Sequence, residues 1–377
     1  MVTTSKRAPR KAATKSKPAT KKAVPKGAAK SAGAKTTALV RRAVPVTLVT
    51  GGTGFLGAHL VRQLVAAGEQ HVRVFATSAP AWLGELGVEV VTGSLLNAGE
   101  VERAVANVGA IYHLAGRVSR AREDAPEMYA LHVDGTRLLC QAARAAGARR
   151  LLLVSTSGTL AVSEDADMLP DEHAPAPLDI ISRWPYYASK FYQERVALEH
   201  FTGADLRLVI VNPSLLLGPG DERLSSTKVV LDFLARKLMS VPSGGLSFVD
   251  ARDVAAVLPA ALERGAHGER FLLGAANWSF AKFFDRLERL TKVAAPRFSL
   301  PSRLAVSGAH ALHSLYRHWQ LAPPVKPDEV EQAEYFWYLD ATKAQRELGF
   351  VPRDPQETLQ ETVAYVRAHF LGQGAFA

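Results

Sequence analysis

The stretch "VPVTLVTGGTGFLGAHLVRQLVAAG", residues 44–68, contains the clearest folding signals of the chain. Residues 46–50 are a short apolar run that predicts a buried strand, and a glycine-rich turn follows them. A helix comes next and ends at Gly68, and its apolar stripe is formed by Leu60, Val61, Leu64 and Val65. A strand, a tight turn and a helix in this order are typical of the first unit of a parallel α/β sheet.

Three glycines, Gly51, Gly54 and Gly57, lie in this turn with the spacing T-G-x-x-G-x-x-G. In a dinucleotide site such glycines allow a tight turn, a close approach of the backbone to a pyrophosphate, and close packing of helix on strand. The anion then lies at the helix N-terminus, where main-chain N–H groups are free. In this context the motif predicts dinucleotide binding, at a site that also includes Phe55 and Leu56.

The alternation of strand and helix continues along the chain. Helical stretches separate most of the further predicted strands, which span residues 71–78, 88–95, 110–116, 149–158 and 206–220. Apolar strands that alternate with helices indicate a parallel sheet covered on both faces.

The positive charge of the chain is concentrated at its N-terminus. The formal net charge is +10, but residues 1–42 hold 13 Lys and Arg and no acid, leaving 33 basic against 36 acidic residues elsewhere. Because this segment has little to bury, we expect a disordered tail at 1–42 and one folded domain at 43–377. Such an arm attracts nucleic acid or an anionic surface. A solubilising extension, a wrongly chosen start codon and a transit peptide are the alternatives.

Cysteine usage and hydropathy limit the classes of protein to which the chain can belong. Cys140 is the single cysteine, which excludes an intrachain disulfide and a thiolate metal cluster and agrees with a reducing cytoplasm. The longest uncharged run, residues 43–61, is about as long as a membrane span but contains four glycines, Pro45 and three threonines. We therefore expect a cytoplasmic protein with no transmembrane segment and no bound metal.

The stretch "PYYASK", residues 185–190, contains a candidate acid/base pair. In a helix Tyr186 and Lys190 share one face, whereas Tyr187 points about 100° away and is expected to pack. A phenol has a pKa near 10, and an adjacent ammonium lowers it. The sequence "STSGT", residues 155–159, just past the fifth predicted strand, offers hydroxyl groups that can hydrogen bond a carbonyl oxygen.

These motifs together resemble the extended short-chain dehydrogenases/reductases, the NAD-dependent epimerase/dehydratase superfamily. The match spans roughly residues 46–370 and rests on the order of "TGGTGFLG", "HLAG", "DGTRLL", "STSGT", "YYASK", "VNPSLLLGPGD", "VDARDVA" and "YFWYLDATKAQRELGFVP". Within the superfamily the chain is most similar to dihydroflavonol-reductase-like and hopanoid-associated sugar-epimerase-like proteins. The resemblance implies a Rossmann-type doubly wound parallel sheet with a smaller C-terminal substrate lobe, drawn mainly from residues 168–185, 218–250 and 277–340.

The resemblance also implies roles for individual residues. Tyr186 would be the general acid/base, Lys190 would hold the nicotinamide ribose and lower the pKa of Tyr186, and Ser157 would orient the substrate oxygen. The further cofactor-binding positions that it implies are Ser94, Leu95, Leu114, Ala115, Gly116, Ser155, Pro213 and Ser214.

Three positions depart from the family pattern. Ser94 stands where an aspartate usually meets the adenine. His132 replaces an asparagine that supports a proton relay, so that His132 either supports such a relay or packs. Asp250 stands where a histidine is common, while Asp253 keeps the acidic position.

The cofactor preference depends on the end of the second predicted strand. An acid there binds the ribose 2′-hydroxyl of NAD and repels the 2′-phosphate of NADP. The sequence "FATSAP", residues 75–80, has no acid, and Thr77 and Ser78 can hydrogen bond a phosphate. NADP is therefore favoured over NAD, although the usual arginine is missing at this point.

Three hypotheses of function follow. The first is an NADP-dependent reductase of a ketone or aldehyde, the second an NAD-dependent sugar (nucleotide) epimerase or dehydratase, and the third a non-catalytic cofactor-binding or nucleic-acid-associated protein. Residues 301–324 are amphipathic and either pack on the sheet or line an apolar pocket. Cations for a substrate diphosphate would be Arg183, Arg223 and Lys228. The expected partners are a carbonyl or sugar-like small molecule, nucleic acid or an anionic surface for the tail, and a second copy in a homodimer.

Overall fold

The computed structural model describes residues 45–203, 205–319 and 326–372, without the side chain of Arg317. The predicted tail at residues 1–42 and residues 320–325 of the third lobe segment lie outside the described residues. The predictions made for them stay predictions.

The described ranges contain the strands β1 Val46–Thr50, β2 Val72–Ala76, β3 Glu89–Thr92, β4 Val108–His113, β5 Arg150–Val154, β6 Arg207–Pro213, β7 Leu215–Leu217, β8 Gly245–Asp250, β9 Glu269–Leu273, β10 Ala276–Ser279 and β11 Phe336–Trp337. The α-helices are α1 Phe55–Ala66, α2 Ala81–Glu85, α3 Ala98–Ala104, α4 Ala125–Tyr129, α5 Gly135–Ala145, α6 Leu178–Ile181, α7 Pro185–His200, α8 Lys228–Leu234, α9 Ala251–Arg264, α10 Phe280–Thr291, α11 Ser302–His318, α12 Pro327–Ala333, α13 Thr342–Leu348 and α14 Pro355–Val366. Short 3₁₀ segments occur at Arg122–Asp124 and Ser157–Thr159, and π-helical segments at Ala130–Asp134 and Arg367–Leu371.

The main sheet has seven strands in the order β3-β2-β1-β4-β5-β6-β9, and every neighbouring pair is parallel. The order reverses between β1 and β4, whose last residues Thr50 and His113 are paired in register. In open α/β sheets a ligand binds in the crevice at the carboxyl ends of the strands where the order reverses. The predicted fold class is confirmed, and the glycine turn lies at this crevice.

Helices cover both faces of the main sheet because its strands are apolar on both sides. On one face, Val49, Leu152 and their neighbours pack against α1, α9 and α13. On the other face, Leu48, Leu151 and their neighbours pack against α3, α5 and α7. Adjacent strand residues thus point into opposite cores, as strand geometry requires. This double cover fixes α1 and α7, the two helices that carry the predicted site.

A smaller sheet forms around β8. Strand β8 pairs antiparallel with β10 and parallel with β7 and β11. The core of this sheet includes Phe248, Phe283 and Val363 and is shared with α8, α10 and α14. The single strand predicted over residues 206–220 was wrong, because β6 ends at Pro213 and the chain then joins the smaller sheet as β7. Among the described helices, none is long and apolar enough to cross a bilayer.

Candidate active site and cofactor site

The three glycines of the turn occupy three different environments. Gly51 has φ +72°, and a Cβ there would lie 2.6 Å from the nitrogen of Ala115. A Cβ at Gly57 would overlap the carbonyl oxygen of Gly51, so this glycine permits close packing of α1 on the turn. A Cβ at Gly54 would meet only the Gly51 oxygen at 3.2 Å, so the space beside it is open. The turn therefore has an open face at Gly54 that a ligand can approach.

The N-terminus of α1 faces this opening. Its N-cap is Gly54, which has no side chain to bond the first N–H groups, and the first turn contains no acid. The N–H groups of Phe55 and Gly57 therefore have no partner within the helix. Leu56 between them is buried in the core. Free N–H groups and the positive end of the helix dipole suit an anion such as a pyrophosphate.

The segment "HLAG" after β4 forms the wall beside the turn. Leu114 N donates to the Thr50 oxygen at 3.1 Å, and Ala115 N donates to Thr50 Oγ1 at 3.3 Å. A Cβ at Gly116 would lie 3.0 Å from His132 Nε2, so only glycine fits there without displacing the histidine. The predicted positions 114–116 thus lie directly against the glycine turn.

An acid that the sequence analysis missed lies beside Ser94. Ser94 N donates to Glu100 Oε2 at 2.7 Å, and Ser94 Oγ accepts from Leu96 N. Leu95 is buried in the core below α5. Glu100 thus brings a carboxylate to the segment in which Ser94 replaces the usual aspartate.

Tyr186 and Lys190 lie one turn apart at the start of α7, whose first residue is Pro185. Lys190 is buried, and its Nζ donates to the Val154 oxygen at 2.8 Å and to Gln193 Oε1 at 2.6 Å. Burial lowers the pKa of Lys190 to about 8, and the negative charge of Glu194 opposes this shift. The ammonium is therefore held at the end of β5 with two of its three N–H groups in use.

The pKa of Tyr186 is raised above its ordinary value by burial, and Tyr187 adds to the shift. A hydrogen bond between the Thr156 and Tyr186 side chains and the positive charge of Arg120 oppose it. The expectation that Lys190 lowers this pKa stays a prediction, and in this structure Lys190 Nζ bonds Val154 and Gln193. Tyr186 is therefore a neutral phenol at physiological pH. Thr156 and Arg120 were not singled out from the sequence.

The loop after β5 is held in place by hydrogen bonds to a buried acid. Glu194, fully buried on α7, accepts from Thr159 Oγ1 at 2.9 Å and from Asn212 Nδ2 at 2.8 Å, and pairs with Arg270 at 2.9 Å. Asn212 also donates to the Thr156 oxygen at 3.0 Å. These bonds fix the backbone that presents the hydroxyl groups of residues 155–159.

Two buried hydroxyl groups of the predicted site have no hydrogen-bond partner among the described residues. They are Ser155 Oγ, after β5, and Ser214 Oγ, after Pro213 of β6. A buried unpaired hydroxyl costs free energy unless a ligand or water bonds it. Ser157 is buried too, and its carbonyl accepts from Leu160 and Ala161. The polar groups at the carboxyl edge of β5 and β6 therefore fit a polar ligand such as a nicotinamide nucleotide.

His132 lies in the π-helical segment and is fully buried. Its Nε2 accepts from Arg117 N at 3.0 Å, and its Nδ1 lies 2.8 Å from Ser189 Oγ. Ser189 Oγ donates to the main-chain oxygen of Tyr186 at 2.9 Å. Because its one proton is used there, Ser189 Oγ must accept from Nδ1–H of His132, which fixes the histidine tautomer. Burial lowers the pKa of His132 to about 2. A neutral histidine that connects the wall segment to α7 agrees with the packing interpretation.

A chain of buried polar groups joins Lys190 to the end of β1. Gln193 Nε2 donates to Thr136 Oγ1 at 2.9 Å, and Thr136 Oγ1 lies 2.9 Å from His113 Nε2. His113 Nδ1 in turn lies 2.6 Å from Thr50 Oγ1. Burial lowers the pKa of His113 to about 3, so this histidine is neutral. The network fixes Lys190 relative to the glycine turn.

The end of β2 is open, as the sequence indicates. Thr77 and Ser78 are exposed there. Arg62 of α1 lies 4.3 Å over the ring of Trp82 at the start of α2, and its Nη1 donates back to the Ala58 oxygen at 3.2 Å. Among the described residues Arg62 forms no ion pair. An unpaired guanidinium thus lies between α1 and the segment after β2.

Aromatic rings border the Tyr186 side of the site. Tyr187 stacks on Trp337 with the ring centroids 4.6 Å apart, and Trp184 contacts Tyr187 and Tyr335 edge to face. A Cβ at Gly158 would overlap the Tyr187 ring. Tyr187 therefore packs, on a different face of α7 from Lys190.

Several charged residues considered from the sequence already have partners. Arg183 bonds Tyr335 Oη at 2.8 Å and Glu331 at 3.2 Å, and Lys228 pairs with Asp232. Asp250 caps α9 and pairs with Arg252, and Asp253 pairs with Arg353, so these two acids are structural.

Comparison with known proteins identifies the family of this chain. The family model described as "NAD dependent epimerase/dehydratase family" matches residues 47–274, from β1 through β9. The chain belongs to this family. It is therefore an NAD(P)-dependent oxidoreductase of the short-chain dehydrogenase/reductase superfamily, as the motifs predicted.

Individual relatives match over most of their length. The chain is 32% identical to a protein of Synechocystis named as a dihydroflavonol 4-reductase, over 85% of this chain and 94% of that protein. It is 34% identical to sterol demethylase protein B of Methylococcus capsulatus, over 85% and 98% of the two chains. The solved structure of gox2253 superposes with a TM-score of 0.74 at 28% identity and covers 88% of this chain and 100% of that chain.

Proposed function

We propose that this family member is an NADP-dependent reductase of a ketone or aldehyde carried on an apolar or polyol-like substrate. The observation that carries the proposal is the position of Tyr186 on α7, one turn before the buried Lys190 and beside an aromatic wall. A reductase needs a proton donor in its resting state, whereas a reaction that begins by oxidising an alcohol needs a base. Burial raises the pKa of Tyr186, which agrees with the role of proton donor.

Each side chain has a defined task in this proposal. The cofactor supplies the hydride that is transferred to the carbonyl carbon. Ser157 orients the carbonyl oxygen, and Tyr186 donates its proton to that oxygen as negative charge develops. The third N–H of Lys190 is available to a ribose hydroxyl, since the other two bond Val154 and Gln193. The hydroxyls of Ser155 and Ser214 would bond the nicotinamide side.

The preference for NADP is supported by charge at the end of β2. No acid follows this strand to repel a 2′-phosphate, and Thr77 and Ser78 are exposed hydroxyl donors. We assign the positive partner of the 2′-phosphate to Arg62, which is oriented by stacking on Trp82. A guanidinium without an ion pair matches phosphate geometry well. Arg62 would replace the arginine that the family usually has at the end of the second strand.

The charges near the site favour a substrate without a diphosphate. Two of the three cations considered for a sugar nucleotide, Arg183 and Lys228, are already paired, which leaves Arg223 and the Arg120 charge near Tyr186. The wall beside Tyr186 is aromatic instead. Two similar proteins are named for a dihydroflavonol and a sterol, which agrees with an apolar substrate.

The alternative is a sugar (nucleotide) epimerase or dehydratase with tightly held NAD, which the family name and fold also allow. Mass spectrometry of the purified protein under native conditions separates the two. A reductase releases its cofactor each cycle, so we expect an empty or NADP-exchangeable protein. Stoichiometric retained NAD would support the epimerase.

The remaining predictions concern location and partners. A cytoplasmic location agrees with the single cysteine, Cys140, which is buried and reduced. The basic segment at residues 1–42 would act as an arm for nucleic acid or another anionic surface, and a homodimer is the expected assembly. If the segment is the DNA-binding part, its deletion removes duplex-DNA retention and the steep salt dependence of that binding.

A further inference from the structure

The outer face of α11 is apolar although it faces solvent. The helix packs inward through Ala309, which is buried. Its outward stripe recurs at helical spacing at Leu304, Gly308, Ala311 and Leu315, and Trp319 directly after the helix continues it. Leu304, Leu315 and Trp319 are 62%, 54% and 67% exposed. Single exposed apolar side chains are common, but an aligned set of large ones indicates a binding surface.

Two further exposed apolar residues lie beside this helix. Met239 is 65% exposed and Phe298 is 56% exposed. The segment that carries Met239 is joined to Phe298, because Val241 N donates to the Phe298 oxygen at 3.0 Å. Ser243 Oγ also lies 3.4 Å from Ser302 Oγ at the start of α11. We call Met239, Phe298, Leu304, Leu315 and Trp319 the apolar lobe face.

The sequence around this face is strongly biased in charge. Residues 289–327 contain six Lys or Arg and no Asp or Glu. Arg303 adjoins Leu304, and Arg236 and Lys237 precede Met239. All three are exposed and form no ion pair among the described residues. The apolar lobe face is therefore accompanied by unpaired positive charge.

The nearby acids are already engaged. Asp328 and Glu331 of α12 pair with Arg122 and Arg183, and Glu334 accepts from Ser302 Oγ at 2.5 Å. Asp285 and Glu288 of α10 pair with arginines at positions 289 and 297. Arg303, Arg236 and Lys237 therefore remain as positive charges without a nearby acid to pair with.

We propose that the apolar lobe face docks the enzyme on an anionic lipid bilayer, with α11 lying in the plane of the membrane surface. A helix with a large apolar stripe, cationic neighbours and a terminal tryptophan has the properties of an interfacial helix. Apolar side chains enter the acyl boundary while Arg303, Arg236 and Lys237 contact phosphate and carboxylate headgroups. A second copy of the chain is a poorer occupant, because the same cations would face each other.

This docking does not depend on which reaction the enzyme catalyses. It would nevertheless suit the apolar substrate class proposed above, since such molecules partition into bilayers. An enzyme docked on the membrane surface would take its substrate from the lipid phase.

The test is co-sedimentation of the full chain with vesicles of phosphatidylcholine and phosphatidylserine. Assays in about 0.5 M NaCl suppress the contribution of the basic segment at residues 1–42, because the Debye length is then about 4 Å. The test variant is the triple substitution Leu304→Ser, Leu315→Ser and Trp319→Ser. The matched control is Val351→Ser, which removes an apolar side chain that is 83% exposed outside this face.

We expect wild type and Val351→Ser to bind these vesicles in both low and high salt. In about 0.5 M NaCl the triple variant should lose at least about tenfold in binding, because three apolar side chains no longer leave water. Its circular dichroism and Tm should match wild type, since the replaced side chains are exposed. Trp319→Phe should still bind the vesicles. Brominated lipids should quench the tryptophan fluorescence of wild type more strongly than that of Trp319→Phe.

Two results would overturn the proposal. One is equal vesicle binding by wild type and the triple variant in about 0.5 M NaCl. The other is no binding by wild type in high salt, together with sedimentation velocity that shows a dimer which the triple variant abolishes. That pattern would make the face a contact between two copies of the chain.

Discussion

Lys190 Nζ lies 2.8 Å from the main-chain oxygen of Val154, so the ammonium of α7 is bonded to the last residue of β5. Gln193 Oε1 takes a second N–H at 2.6 Å. One N–H remains for a ligand. Buried surroundings lower the pKa of Lys190 to about 8, which places the loss of this donor within the range of ordinary assays.

Cofactor affinity should therefore fall as pH rises through about 8. Below this pH the ammonium offers a third N–H, and above it the amine has only the two hydrogens that Val154 and Gln193 already accept. Titration of NADP binding by intrinsic fluorescence across pH 6–10 measures this. Lys190→Met should bind more weakly at low pH and lose the step near pH 8.

Stability should change in the opposite direction. Between pH 8 and the ordinary lysine pKa of 10.5, the unfolded chain binds a proton at Lys190 that the folded chain does not bind. The free energy of unfolding of wild type, relative to Lys190→Met, should therefore rise over this interval. Urea denaturation of both proteins at several pH values tests the sign, and a falling difference would refute the lowered pKa.

Gln193→Glu tests the positioning role of Gln193. A carboxylate beside Lys190 favours the charged amine, so the pH midpoint of cofactor binding should move upward by about one unit or more. A substitution that only loosened the fold would weaken binding at every pH without moving the midpoint. The matched variant Gln193→Leu removes the acceptor and should move the midpoint down.

Tyr186→Phe should reduce turnover by at least ~10²-fold, the usual scale for loss of a general acid, with nearly unchanged Tm and cofactor affinity. Tyr187→Phe keeps the stacking on Trp337 and should lose far less. Steady-state kinetics of the two variants measure the difference. Equal losses would contradict the assignment of the two tyrosines to different faces of α7.

The local part of this site could be predicted from the sequence, because each signal lies within one short segment. The glycine spacing from Gly51 to Gly57 and the four-residue interval from Tyr186 to Lys190 are such signals. The structure places both at the carboxyl edge of one parallel sheet. The roles of these residues as ligands of cofactor and substrate remain predictions.

The rest depends on contacts between segments that are distant in sequence. The stacking of Arg62 on Trp82, the bond of Glu100 to Ser94, and the engagement of Lys190 by Val154 follow from packing. Strand β9 also pairs with β6 only after the chain has passed through the smaller sheet. No periodicity or motif spacing encodes these contacts.

Arg62→Ala should weaken binding of adenosine 2′,5′-bisphosphate about tenfold and leave binding of 5′-AMP unchanged, because only the former has the 2′-phosphate. Isothermal titration calorimetry measures both ligands. Arg264→Ala, which removes an exposed arginine at the end of α9, is the control. A parallel loss for both ligands would show that Arg62 does not contact the 2′-phosphate.

The central claim is net reduction, and the stoichiometry of the cofactor tests it most directly. The measurement follows nicotinamide absorbance and product together, with a carbonyl substrate present in excess over NADPH. A reductase with Tyr186 as proton donor consumes one NADPH for each carbonyl reduced, and the account predicts this ratio. Product that accumulates with no net change in absorbance, sustained by a catalytic amount of cofactor, would contradict it and identify an epimerase or dehydratase.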